Sequence, residues 1–265
     1  MIINKNVSLF LLSFCFYHIS SLHAQKVPEL IADRPHQTAS AVVVPTDALQ
    51  IETGFIFQKQ KFSDGSTTFE NDNLTLGTTL IRYGVSSNFE LRFGGEYFAG
   101  QTLVNGVKSD IKGMQNLLFG GKLNLRRDEK ILSNAAIIIQ SIIPFGSEKL
   151  RTDNFIPTLL FTADQTITEN VSFGFNIGVE KNLDDGRNSY IYSGSLAYSL
   201  SDELGSFFEF YGNAMNEANP SNNLDFGLTY LFKQNLQVDV SFGTTLLRGQ
   251  TDYFGAFGVS LRLPH

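Results

Sequence analysis

Tryptophan is absent from the 265 residues, cysteine occurs once, histidine four times and proline seven times. Each shortage excludes something. With Cys15 alone, no disulfide can form within the chain, so an exported protein of this composition must hold its fold by other means. Of the histidines, His18 and His23 stand in the first 24 residues, His36 in an irregular proline-bearing stretch and His265 at the end. Histidine-based nucleophilic catalysis and a His/Cys metal site therefore lack their central residue on any predicted strand. No basic patch exists and the formal net charge is -6, which argues against nucleic acid as a partner. Beyond the first turn of sequence no apolar run approaches the roughly 20 residues of a membrane-crossing helix.

Residues 1–24 read as a secretory signal peptide: Lys5, an apolar run from Val7 to Tyr17, then a polar stretch ending at Ala24. Cys15 follows Phe14, where lipoprotein processing would want a small residue, so no lipid anchor is expected. Removing the peptide takes one lysine and no acid, and 19 basic against 26 acidic residues leave about -7 on the mature chain. Residues 25–48 show no alternation and read as an irregular periplasmic leader, with Asp33, Arg34 and Pro35 as its motif.

What is present, from residue 49 to the end, is a period of two. In Val171–Val179 the odd positions Val171, Phe173, Phe175, Ile177 and Val179 are apolar and the even ones small or polar. Such alternation places one residue class on each face of a strand. It recurs about twelve times, at Leu49–Phe57, Leu74–Leu80, Phe89–Tyr97, Leu117–Leu125, Ile131–Ile143 and Phe155–Phe161, then Val171–Val179, Tyr190–Tyr198, Phe207–Gly212, Leu224–Phe232, Leu236–Phe242 and Tyr253–Leu263. Hardly any helical pattern lies between them. Short connections alternate with longer polar ones such as 63–73 and 100–113, which is the habit of a closed antiparallel transmembrane β-barrel, with residues 49–265 forming the barrel. An exported β-sandwich would also alternate. The barrel is preferred because the polar face is rich in Gly and Ser and because the loop lengths keep their parity.

Charges are costly on a lipid-facing wall, so the polar face is the interior. It carries Glu52, Glu90, Glu96, Glu180, Glu209, Asp225 and Asp239 against Arg92, Lys122 and Arg262, which are the candidate lumen-lining or constriction residues. Alternation from Leu80 would aim Arg82 at lipid, and only a bulge or an interfacial position would rescue it. On the same reasoning Phe175→Arg should harm assembly and Asn176→Arg should be tolerated. The acidic turn at Asp184 and Asp185 reads as solvated rather than as a calcium site, and no metal or cofactor is expected.

Several short stretches resemble one outer-membrane family. They are Asp33-Arg34-Pro35-His36-Gln37-Thr38, Leu49-Gln50-Ile51-Glu52-Thr53-Gly54-Phe55, Leu80-Ile81-Arg82-Tyr83-Gly84-Val85, Phe119-Gly120-Gly121-Lys122, Ile143-Pro144-Phe145-Gly146 and Asn176-Ile177-Gly178. The family is named for the meta-cleavage (MetA) pathway of phenol degradation. The resemblance implies a barrel in the cell outer membrane and a transporter or channel for small, hydrophobic or aromatic solutes. A non-transporting structural or surface-binding barrel is the alternative, and an enzyme is not expected. Outer-membrane lipid, the barrel-assembly machinery and a small-molecule solute are the implied partners. The chain departs from the pattern at its end, Leu263-Pro264-His265, where such barrels carry an aromatic residue.

Overall fold

The computed structural model describes residues 28–125, 133–215, 220–246 and 250–264; the predicted signal peptide and the charged turn at 126–130 lie outside them. Strands β1 (Leu49–Asp64), β2 (Thr67–Ser86), β3 (Phe89–Val104), β4 (Val107–Met114), β5 (Leu117–Leu125), β6 (Asn134–Ile143) and β7 (Ile156–Thr168) form the first half. The second half is β8 (Val171–Lys181), β9 (Asn188–Ser199), β10 (Leu204–Met215), β11 (Ser221–Lys233), β12 (Leu236–Thr245) and β13 (Gln250–Leu263). All pair antiparallel in one sheet, which runs from β2 through β1 and β13 down to β5 and β3, and the pairing of β2 with β3 closes it. β5 pairs with the first half of β3 and β4 with the second, so these two act as one interrupted strand. The result is a closed twelve-stranded barrel. Closure pairs every ladder group, which is what a strand-built span of a bilayer requires.

The burial pattern is inverted relative to a soluble protein. The exposed side chains include Phe55, Phe93, Phe119, Ile139, Ile177, Phe208, Phe226 and Phe242, distributed around the whole wall, while the largest fully buried ones include Arg82, Arg262, Lys122, Glu52, Glu90 and Glu209. An apolar exterior of this extent is stable only against lipid. Ile177 is 60 % exposed on the outer face, whereas Asn213 lies on the inner face of β10. An arginine facing the bilayer core costs about 2–4 kcal/mol and little in a wet lumen. Ile177→Arg is thus expected to reduce the heat-modifiable folded fraction strongly and Asn213→Arg hardly at all; equal losses would refute the face assignment.

Two predicted loops are corrected. Residues 63–73 and 100–113 are mostly strand: β1 and β2 meet at a tight two-residue turn whose first residue, Gly65, has φ 58°, and β3 and β4 at Asn105–Gly106, where both residues have the positive φ that a type I′ hairpin demands. These segments alternate too, but with polar residues outside. Lys59–Asp72 at 3.3 Å and Lys61–Glu70 at 2.6 Å pair on the outer face just beyond Phe57 and Leu74, where the wall has left the lipid. The nine residues from Leu49 to Phe57 match the 9–11 that a tilted strand needs to cross. The turn predicted from Asp164 to Asn170 is likewise shorter, since β7 continues to Thr168 and Asp164 is part of the wall.

A bulge decides the face of Arg82. The β2–β3 register shifts between Leu76 and Thr79, with Gly77 at φ 58°, so that the phase of β2 reverses. Leu74 and Leu76 face out, as does Tyr83 beyond the bulge, while Arg82 turns in with no exposed surface. Leu80, predicted on the lipid face with Leu74 and Leu76, is paired with inward Gly94 and points to the lumen.

Candidate functional site

The leader is inside the barrel. Irregular backbone at membrane depth must find partners for every N–H and C=O, and here the wall's charged side chains supply them. Near one end, Leu30 N–H donates to the Gln234 carbonyl at 3.1 Å, and Arg262 donates to the carbonyls of Pro28 and Glu29. The chain then rises past β1. Glu52 Oε2 accepts from the amides of Asp33 and Arg34 at 3.0 and 3.1 Å, and the Ile31 carbonyl accepts from Gln50 and Arg82. It crosses to the far wall, where the Glu209 carboxylate takes the amides of Gln37 and Thr38 at 2.7 and 2.6 Å. Thr38 Oγ1 also meets Ser193 Oγ at 2.7 Å.

The return path is held the same way. Thr162 donates to the Ala39 carbonyl, and Asp164 accepts from Ala41 N–H at 2.7 Å and Ser40 Oγ at 3.2 Å. Lys122 Nζ donates to the carbonyl of Ser40 at 2.7 Å, Asn124 to Ala41 and Arg82 to Val42. Glu90 Oε2 accepts from Val44 N–H at 2.8 Å, and Thr46 bridges to Gly84 before β1 begins. Wall carboxylates thus serve leader amides, and wall cations serve leader carbonyls.

At the crossing lies a buried ion cluster. Arg92 and Lys122 reach Asp33 at 2.6 and 3.2 Å, and Arg82 lies 3.6 Å from it. Arg82 also reaches Glu52 and Glu90, both at 2.9 Å. Three cations face three carboxylates, and all six side chains are at most 8 % exposed. Burial pushes the Asp33 carboxyl upward, but Arg82, Lys122 and Arg92 together outweigh it and hold it well below the ordinary carboxylate range. Arg34 points the other way, donating to Thr78 at 2.6 Å and reaching Asp239 at 3.5 Å. It lies over Gly54 and Gly258, opposite each other in the β1–β13 register; a Cβ on either would meet its guanidinium.

Of the residues chosen from sequence, Arg92 and Lys122 converge on the Asp33 carboxylate, Glu52 accepts from the Asp33 amide, Glu90 pairs with both cations, Glu209 and Asp239 hold the leader at Gln37–Thr38 and Arg34, and Arg262 binds its start. Asp225 is buried beside Glu209. Glu96 and Glu180 stay outside these contacts, meeting Gln115 and Thr158. Pro35 is buried with the leader. Arg82 and Asp164 complete the network, the first unplaced by sequence for want of the bulge, the second mistaken for a turn. The expected tolerance of Asn176→Arg is corrected, because Asn176 is 2 % exposed and packed against Ala39, which its amide both donates to and accepts from. The acidic turn has protein partners: Asp184 accepts from Asn154 of the preceding loop, and Asp185 binds Arg187 within the turn. Among the described residues no group of three His, Cys, Asp or Glu is placed to hold a metal ion.

The inverted surface, the closed ladder and the charged interior define an outer-membrane β-barrel whose lumen is filled by its own amino-terminal segment. The chain belongs to the family described as "Putative MetA-pathway of phenol degradation", whose profile matches residues 32–263. Among solved structures, the COG4313 outer membrane channel from Pseudomonas putida F1 is similar over 92 % of this chain and 100 % of that one, at 12 % identity and TM-score 0.58. The translocator domain of autotransporter NalP from Neisseria meningitidis matches over 81 % and 88 % of the two chains, at 10 % identity and TM-score 0.58. The transport unit of the autotransporter AIDA-I from Escherichia coli matches over 88 % and 92 %, at 11 % identity and TM-score 0.51. At these identities the likeness is one of fold. No curated protein matches the chain.

Proposed function

We propose that this protein is a non-enzymatic channel of the outer membrane for small solutes, and that the leader sets the width of its path. The observation that carries this reading is the filling of a polar lumen by residues 28–48, which leaves cavities between the leader and the wall, two of them bordered by His36. One, of about 260 Å³, lies toward β7–β9 beside Asp164, Ser172 and Ser195; the other, of about 170 Å³, lies toward β9–β12 beside Ser206 and Gln237. Spaces of this size admit a water chain, an ion or a single small ring, and no oligosaccharide.

The belt of Glu52, Glu90, Arg92 and Lys122 braces the leader, and selectivity falls to the opposite wall. There Asp164 borders one of these cavities, while Glu209, Asp225 and Asp239 are buried on the same wall, with Arg34 as the one ion-pair partner of the four among the described residues. The family's name favours aromatic or other hydrophobic compounds as the class carried, the short turns and the start of the leader at Pro28–Leu30 lie toward the periplasmic side, and the barrel-assembly machinery inserts the chain. Proteoliposomes should take up a small phenolic or benzoate-like solute faster than protein-free vesicles and exclude a disaccharide. Equal exclusion of both by verified folded barrel would favour the sealed, structural alternative.

A further inference from the structure

Glu209 on β10 and Asp225 on β11 are directly opposed in register on the inner wall, at 0 % and 1 % exposure. Directly opposed residues on one face of an antiparallel pair have Cβ atoms about 4.5–5.5 Å apart, which sets the two carboxyl groups side by side. Both oxygens of Glu209 are engaged by the leader, one by Gln37 N–H and the other by Thr38 N–H. Neither oxygen of Asp225 has a donor among the described residues, and neither is accessible to solvent. Two ionised carboxylates side by side in a dehydrated site would leave one charge with no compensation, a penalty far larger than a hydrogen bond returns. A metal ion does not answer the need, since Glu209 is already occupied and Asp225 has no open space around its oxygens.

We propose that Glu209 and Asp225 share one proton at neutral pH, so that the pair is a proton-binding site on which the leader is seated. The protonated Asp225 donates to Glu209, and the single remaining negative charge is the one that the Gln37 and Thr38 amides solvate. Carboxyl pairs of this kind behave as one unit with one proton between them. The groups around the pair do not supply a cation in its place. Arg34 is turned toward Asp239; Ser195 and Ser241 offer only hydroxyls; Tyr211, the next inward residue on β10, offers a phenol. His36, one residue before Gln37, packs on Phe207 at 4.1 Å between ring centroids. Burial lowers its pKa to about 4, against a small opposing pull from Asp33.

The two groups act in opposite directions with pH. The seated pair holds a proton that an unfolded carboxyl releases near pH 4, so the folded state binds more protons and stability falls as pH rises through the pair's titration. His36 is neutral when seated and charged when unfolded below its ordinary pKa of 6.5, so stability falls as pH drops from about 6.5 toward about 4. The seat is firmest between these limits, whether or not the lumen conducts.

Infrared spectra of the folded barrel test this directly. At neutral pH the wild type should show the C=O stretch of a protonated carboxylic acid, which disappears as pH is raised while the melting temperature falls by several degrees. In Asp225→Asn, whose amide N–H can donate to Glu209 in the same way, the band should be missing and the alkaline loss of melting temperature should flatten. A neutral-pH spectrum with no such band overturns the proposal, and so does an alkaline loss that Asp225→Asn leaves unchanged. If that variant does not fold, the pH titration of the wild-type band against its own melting curve decides alone.

Discussion

Replacing Arg82 by methionine should cost the barrel about 3–5 kcal/mol, the range for removing one partner from a buried ion network. The side chain makes five hydrogen bonds: to both oxygens of Glu90, to Glu52, and to the carbonyls of Ile31 and Val42. Methionine nearly matches the volume, so the loss comes from stranding Glu52 and Glu90 as buried charges. Arg92 and Lys122 still reach Glu90, but among the described residues Glu52 has no other cation. Lysine should recover little, because a single ammonium cannot span the two carboxylates and two carbonyls that the guanidinium fork serves. Denaturant unfolding of refolded protein in lipid vesicles would measure the difference. A loss below about 1 kcal/mol would mean that the cluster is hydrated and that its charges are worth no more than surface pairs.

The barrel itself was legible because lipid imposes an alternation that no soluble strand needs to keep so strictly. Phe55 and Phe57 or Phe173 and Ile177 name the outer face at once. The strand ends were not legible, because β1–β4 continue beyond the bilayer on polar pairs such as Lys59–Asp72, which read as loop in sequence. The phase of Arg82 was hidden by one bulge at Gly77–Thr78, a register effect that alternation cannot report. The leader was the largest omission. Without periodicity it reads as a tail, yet it left two signals on the wall: carboxylates at inward positions without cations beside them, as at Glu209, and facing glycines at 54 and 258, where a Cβ would meet the Arg34 guanidinium. The first exist to accept leader amides and the second to admit Arg34.

Removing the leader should have the largest effect on passage. A mature chain lacking residues 28–44, with Pro45–Ala48 kept to preserve the bridge from Thr46 to Gly84, loses no pairing of the twelve-stranded ladder. Glu52, Glu90, Asp164 and Glu209 would exchange leader amides for water, and Arg82, Arg92 and Lys122 would keep Glu52 and Glu90 as counter-ions. The barrel should therefore still migrate as a folded species on unheated gels. Its lumen would then be a continuous water-filled passage lined by an acidic wall on the β7 and β10–β12 side, favouring cations over anions.

Single-channel recording of this shortened barrel beside the full mature chain is the most direct measurement. The leader-filled lumen predicts small or unresolved conductance for the full chain and a several-fold larger, cation-preferring conductance for the shortened one. Equal conductance from two folded barrels would contradict the claim that residues 28–48 set the width of the path.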